Sequence, residues 1–324
     1  MKASMKQPID NKFDKFRIDL SKEVVEPQPL LKIGEKPLFT RGNISCIGGQ
    51  AKSRKSFLIS LFSSLFLEYT ENEKVIIFDT EQAKYHVQKA TKRIHKLLKW
   101  NDNQNNERLH VFTLRELSIE NRKECITNMI ELHKPSLVFI DGIRDLLPDF
   151  NNPTESSEIV NLLMRLSSVY DCHICSVLHK NKGKDDLRGH TGTELQNKSE
   201  TVISVEKKGD ISEVKPMFCR NIPFDDFYFR VNDDSLPELC NPDLIPKNTD
   251  KLKQVFKDFF PDKITLSYTE LQNKIMESCA VKETAAGNKI KNAKEQRIIA
   301  QNPYGKYQLV SDEHEEKSEN QSPH

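Results

Sequence analysis

Between residues 43 and 208 the chain alternates short, unbroken apolar runs with longer amphipathic stretches. The runs are NISCIGG (43–49), KVIIFDT (74–80), RLHVFTL (108–114), SLVFIDG (136–142), HICSVLH (173–179) and TVISVEKK (201–208). The first four are dense in Val, Ile, Leu and Phe without in-and-out alternation, which predicts strands covered on both faces. Residues 55–70, 83–99, 118–134 and 155–169 predict helices between them. In the second of these, Val87, Ile94, Leu97 and Leu98 mark one face, and lysines and arginines fill the other. Such alternation predicts an α/β fold with a mostly parallel sheet under helices, spanning residues 41–235. VKPMFCR (214–220) and DFYFRV (226–231) follow without room for crossover helices, so they predict an antiparallel extension.

Outside this region the pattern changes. Residues 1–40 are polar with scattered apolar positions, an extension expected to pack on the core or to reach a neighbouring subunit. Residues 236–250 carry prolines, Asp and Asn without periodicity and predict a linker. From 251 to 311 three helical stretches precede a hairpin around Asn302-Pro303-Tyr304-Gly305, with helix starts expected at Thr269 and at Lys282-Glu283-Thr284. Residues 312–324 have nothing to bury and predict a disordered tail.

Composition narrows the classes. The formal charge is +1, so any basic surface must be local. One such excess exists: between 251 and 311, eleven Lys and Arg face six Asp and Glu. The N-terminus, MKASMKQPIDNKF, has charges where a leader needs an apolar core, and FLISLFSSLFLEY (57–69) is too short to span a bilayer. A cytoplasmic protein without a membrane partner is expected. Seven scattered cysteines fit a reducing compartment, and Cys172 and Cys175, though spaced C-x-x-C, open an apolar run and are expected to pack rather than bind metal.

The candidate chemistry starts at GGQAKSRKS (48–56), close to the phosphate-cradling pattern G-x-x-x-x-G-K-[ST]. A strand leads in and a helix leads out, so Gly48, Gly49, Gln50, Ala51, Lys52, Ser53, Arg54, Lys55, Ser56 and Phe57 are expected around the phosphates of ATP. Lys55 would reach the outer phosphates, and Ser56 with Asp141 would hold Mg²⁺. Arg54 stands where the pattern has its second glycine. It is expected to take the helical φ of a helix start and to add a cation, with Lys52, beside the anion. Glu81, just past the run 74–80, could polarise an attacking water, and His179 ends a third run at the same expected sheet edge.

The order GGQAKSRKS, FDTEQ, LVFIDG and LHKNKGKDDLRGHTGTELQNKSETVISV resembles the RecA/DnaB superfamily of P-loop ATPases, most closely the RepA-type hexameric helicases of mobile elements, over residues 41–231. The resemblance implies a RecA-like core, a homohexamer hydrolysing ATP between subunits, and action on single-stranded DNA. It makes Glu81 the catalytic glutamate and His179 the γ-phosphate sensor. It also places DNA contacts at Lys180, Lys182, Lys184 and Arg188, in a stretch read as one long loop. An arginine finger is implied at Arg220, then Arg188, with Lys207 and Lys208 behind them. The C-terminal order resembles a winged-helix domain, with Lys282, Lys289, Asn292 and Lys306 toward duplex DNA. The alternative is an ATP-regulated DNA-binding regulator or loader without strand separation.

Overall fold

The computed structural model describes residues 13–181, 186–241, 255–261, 264–279 and 281–310. The tail at 312–324, Lys182, Lys184 and residues 242–250 of the expected linker lie outside these. Two compact units form, the second taking residues 207–213, 227–234 and the chain from 238 onward.

In the first unit the alternation becomes β3 (Ile44–Gly49), β4 (Val75–Asp79), β5 (Leu109–Thr113), β6 (Leu137–Asp141), β7 (His173–His179) and β8 (Thr201–Lys208). These strands are parallel, and the sheet order is β9-β8-β3-β7-β6-β4-β5, where β9 is Ile211–Cys219. Two residues join β8 to β9, a span that only an antiparallel turn can make. Strands β3 and β4 are buried throughout, as their unbroken apolar runs require, whereas β5 is only partly covered because it is the edge strand.

The crossovers are α1 (Lys55–Glu68), α2 (Lys84–Leu97), α3 (Ile119–His133) and α4 (Pro153–Val169). Their starts are locally encoded. Ser118 accepts the Asn121 N–H, and Asn152 accepts two N–H groups ahead of a first-turn proline. One core joins alternate residues of the sheet, such as Cys46, Ile76, Phe78, Val138 and Ile140, to Ile130, Ile159 and Leu163 of the covering helices. Each such side chain contributes about 1.5–3 kcal/mol by leaving water.

Three expectations need correction, and the N-terminal extension takes one of its two expected courses by packing on the core. The long loop after His179 contains a helix, α5 (Gly189–Lys198). Its glycines mask a buried face of Thr191, Gly192 and Leu195, and Thr191 meets Ser156 of α4 at 2.8 Å. Within the extension, β1 (Pro29–Ile33) and β2 (Lys36–Thr40) form a hairpin that belongs to the first unit. Phe39 is wholly buried between Phe62, Phe139 and His173, and Thr40 donates through N–H and hydroxyl to buried Glu200. Residues 13–28, by contrast, are exposed. The expected linker begins with a strand, β11 (Pro237–Cys240), beside β10 (Phe227–Val231); its proline takes the first position, where a missing N–H is tolerated. Finally, α6 (Tyr268–Cys279) starts one residue before Thr269, because Ser267 and Glu270 cap it reciprocally.

In the second unit, helical residues 255–259, α6, α7 (Glu283–Glu295) and the hairpin β12 (Ile299–Gln301)–β13 (Tyr307–Leu309) enclose a core of their own, centred on Phe256, Leu271, Ile275, Ile290 and Tyr307. Leu266 bridges to Tyr307, so a third extended segment lies beside the hairpin. Asn302 shapes its turn, accepting the N–H groups of Tyr304 and Lys306.

All seven cysteines are free. Cys46, Cys172 and Cys175 are buried, and burial pushes their thiols up, that of Cys172 to about 12. Among the described residues no helix is long and apolar enough to cross a membrane.

Candidate functional site

Strand register brings the site together. Gly49 pairs with His179 and Asp79 with Asp141, so the loop after β3 and the ends of β4, β6 and β7 share one sheet edge. Gly49 is required by close approach: a Cβ there would lie 2.5 Å from Ser53 Oγ and 2.7 Å from the Val205 carbonyl. Lys55, nearly buried, donates to the carbonyls of Gly49 (3.1 Å) and Gln50 (2.8 Å) and sits 3.4 Å from His179 Nδ1. An ammonium this close disfavours a second positive charge on the ring, which favours the neutral imidazole. Burial and then the Lys55 charge hold His179 below its ordinary value. Burial likewise lowers Lys55, against the pull of Asp141 and Glu81.

The Ser56 hydroxyl donates to Asp141 Oδ2 at 2.7 Å. Burial pushes Asp141 up to about 6, opposed by that hydrogen bond and by the charge of Lys55. A hydroxyl and a carboxylate side by side are hard oxygen donors of the kind Mg²⁺ takes when phosphate and water complete its shell. The residues therefore fit that ion.

Glu81 hangs from a tethered turn. Asp79, buried at the end of β4, accepts the N–H groups of Glu81 (3.0 Å) and Gln82 (2.7 Å) and the Gln82 side-chain amide (2.7 Å). The Thr80 hydroxyl reaches Asp145 Oδ2 at 2.8 Å. Desolvation of its carboxylate, then the charges of Asp145 and Asp79, raise the proton affinity of Glu81, although the residue as a whole stays open to solvent. A carboxylate tuned upward beside an ammonium and a neutral imidazole can accept a proton from water.

Arg54 corrects the expectation made for it. Its φ is +70° and ψ 27°, left-handed rather than helical, and Lys52 has φ +62°. The pattern's glycine belongs at a position whose backbone disfavours a Cβ, and an L residue there costs roughly 1–2 kcal/mol.

A cavity of about 530 Å³ opens over these groups, lined by residues 52–57, Glu81, Asp141 and His179. It also takes in residues that sequence reasoning missed: Gln82, Arg144, and one face of α2 with His86, Lys89 and Arg93. The spacing of 86, 89 and 93 is a helical face, a signal that was legible. Arg93 stacks 3.7 Å over Phe57 and is lowered to about 10 by burial.

Other expected residues lie elsewhere. Lys180 is buried, its ammonium 2.7 Å from Ser204 Oγ and 3.2 Å from Glu206, which removes it from a surface where nucleic acid could touch it. Arg220 follows β9 at the opposite sheet edge: its N–H binds Glu200 O, whose own N–H binds Ile44 O at the start of β3. Its guanidinium caps the carbonyls of Asn197 and Lys198. Arg188, just before α5, stays beside the site without lining the cavity: its N–H donates to the His179 carbonyl (2.9 Å), its charge helps lower His179, and its guanidinium lies 5.3 Å from the Phe150 ring centroid. In the second unit Lys208 pairs with Glu213 across the turn that also holds Lys207. Lys282, Asn292 and Lys306 are exposed, Lys289 is half-buried, and Asn292 accepts from Gln296.

No protein-family model matches the chain, and no curated protein matches it.

Proposed function

We propose that this chain binds Mg²⁺-ATP at residues 48–57 and hydrolyses it, as a RecA-like P-loop ATPase working on DNA. The observation that carries the reading is the convergence of Lys55, Ser56, Asp141, Glu81 and His179 on one cavity at the carboxyl ends of parallel strands. Lys55, released from the Gly49 and Gln50 carbonyls, turns to the outer phosphates. Ser56 and Asp141 hold the metal, which supplies Lewis-acid neutralisation of the phosphate oxygens. Glu81, fixed by Asp79 and Thr80, orients water and takes its proton, and His179 senses the terminal phosphate. In the second unit, the bridge from Leu266 to the hairpin and the order of helices support a winged helix. Its exposed Lys282, Asn292 and Lys306, with half-buried Lys289, favour duplex DNA, while single strands and a hexameric, RepA-like helicase assembly belong to the core. The test is ATP turnover with and without single-stranded DNA. Lys55→Ala abolishes nucleotide binding, and Glu81→Gln binds but turns over at least about a hundredfold more slowly. Turnover of Glu81→Gln equal to wild type refutes the assignment, and a DNA-independent rate favours the regulator reading over the helicase.

A further inference from the structure

The turn that follows β6, Ile143–Leu146, commits each of its side chains to a different task. Ile143 and Leu146 are wholly buried in the core. Asp145 accepts the Thr80 hydroxyl through Oδ2, and its carbonyl accepts Arg122 Nη1–H at 2.7 Å, with Arg122 also bound to the carbonyls of Leu114 and Arg115. Gly142, at φ +107°, opens the turn where a Cβ would collide with Thr80 Oγ1. The turn is therefore pinned from three sides and interlocked with the loop that carries Glu81.

Arg144 is the side chain left facing the cavity, which it lines together with Glu81 and His179. Its guanidinium lies 4.5 Å from the Phe150 ring centroid, a contact that orients its plane. Among the described residues it has no hydrogen bond and no ion pair. Lys55, by contrast, already donates to the carbonyls of Gly49 and Gln50. Arg144 also lowers Glu81 through its charge, but no carboxylate touches it, so a cation displayed from a pinned turn into this cavity keeps its hydrogen-bonding capacity for a group from outside the protein.

We propose that Arg144 is a catalytic residue that binds the terminal phosphate of the nucleotide from within the same chain and stabilises the charge developing there during hydrolysis. The inference rests on the ATPase reading above. In that step a water oxygen bonds to the terminal phosphorus while the bond from that phosphorus to the bridging oxygen breaks. The electron pair leaves on ADP, and the water proton passes to Glu81 and then to solvent, giving ADP, inorganic phosphate and a proton. Charge spreads over the equatorial oxygens as the bonds loosen. A guanidinium meets two such oxygens with a fork that needs no rearrangement. Catalysis then draws this cation from the chain that binds the nucleotide.

Single-turnover hydrolysis of ATP by the full chain tests this, with Lys55→Ala and Glu81→Gln as references. Arg144→Ala is expected to lose about 10³-fold in rate while nucleotide affinity changes far less, and Arg144→Lys to recover part of the loss by keeping charge without the fork. Arg144→Gln, closer in shape, replaces the alanine variant if that protein fails to fold. Mixing Arg144→Ala with Lys55→Ala subunits is expected to restore nothing, because the arginine acts in its own chain. Near-wild-type turnover of Arg144→Ala, or recovery on mixing, overturns the proposal. If the Lys55 and Glu81 variants themselves turn over like wild type, it is the ATPase reading that falls, and this proposal with it.

Discussion

The left-handed backbone of Arg54 gives a prediction whose sign, and not only its size, is at stake. Arg54→Ala and Arg54→Gly remove the same guanidinium and differ only in Cβ. At φ +70° an L residue costs roughly 1–2 kcal/mol relative to glycine. Glycine returns about 0.4–1 kcal/mol of this through its freer unfolded chain. Arg54→Gly is therefore expected to be more stable than Arg54→Ala by about 0.5–1 kcal/mol. Were the residue helical, alanine would win by about 0.5–1 kcal/mol. Urea denaturation followed by the fluorescence of Trp100, the single tryptophan and a residue of the first unit, measures the difference where it arises. Equal slopes against urea are required for the comparison. An alanine variant as stable as the glycine variant, or more so, refutes the backbone argument. ATP affinity in the same pair isolates the guanidinium: both variants should bind more weakly than wild type, and tighter binding by Arg54→Gly would make Arg54 a defect in the loop.

Lys180→Met should lower stability by about 1–3 kcal/mol by stranding the buried Ser204 hydroxyl, with DNA affinity unchanged in a binding titration. His173 is buried and held at about 4, below the ordinary 6.5. Its neutral form is what the fold accepts, so its contribution is complete above pH 6.5 and is lost as pH falls from 6.5 toward 4. Between pH 7 and 5 the wild type should lose about 2 kcal/mol more than His173→Gln in urea titrations. Lys289→Ala and Lys306→Ala should each reduce the salt slope of duplex DNA binding by about one, and an unchanged slope removes that lysine from the interface. Thr80→Val should slow turnover with little effect on ATP affinity, and Thr80→Ser should restore it; equal rates for valine and serine would show that the hydroxyl to Asp145 is dispensable.

What was legible in the sequence was whatever depends on local pattern. Unbroken apolar runs marked the strands within a residue or two, and polar residues at their ends marked Lys55, Ser56, Glu81, Asp141 and His179, since a parallel sheet gathers strand ends at one edge. What depends on distant packing was not. Phe39 reads as one apolar residue in a polar extension until Phe62, Phe139 and His173 surround it. Lys180 reads as one more loop cation, yet its neighbours Ser204 and Glu206 come from another strand. Arg54 misled because a residue letter carries no φ. Arg144 was hidden inside IRDL, where two apolar neighbours and a carboxylate suggest an ordinary turn; only tertiary contacts show that its three companions are engaged elsewhere.

The cysteines turn the fold into its own reporter. Cys125, Cys219, Cys240 and Cys279 are partly exposed, whereas Cys46, Cys172 and Cys175 are sealed in the core. An alkylating reagent should therefore modify four thiols promptly, and the other three only as often as the first unit opens. Mass spectrometry would resolve the two classes as separate mass steps. Because Cys46 lies in the strand that leads into Gly48 and Gly49, a nucleotide that binds the closed form should slow the late step by a factor of 1 + [L]/Kd. Occupancy could then be read from mass alone, in a variant that cannot turn anything over.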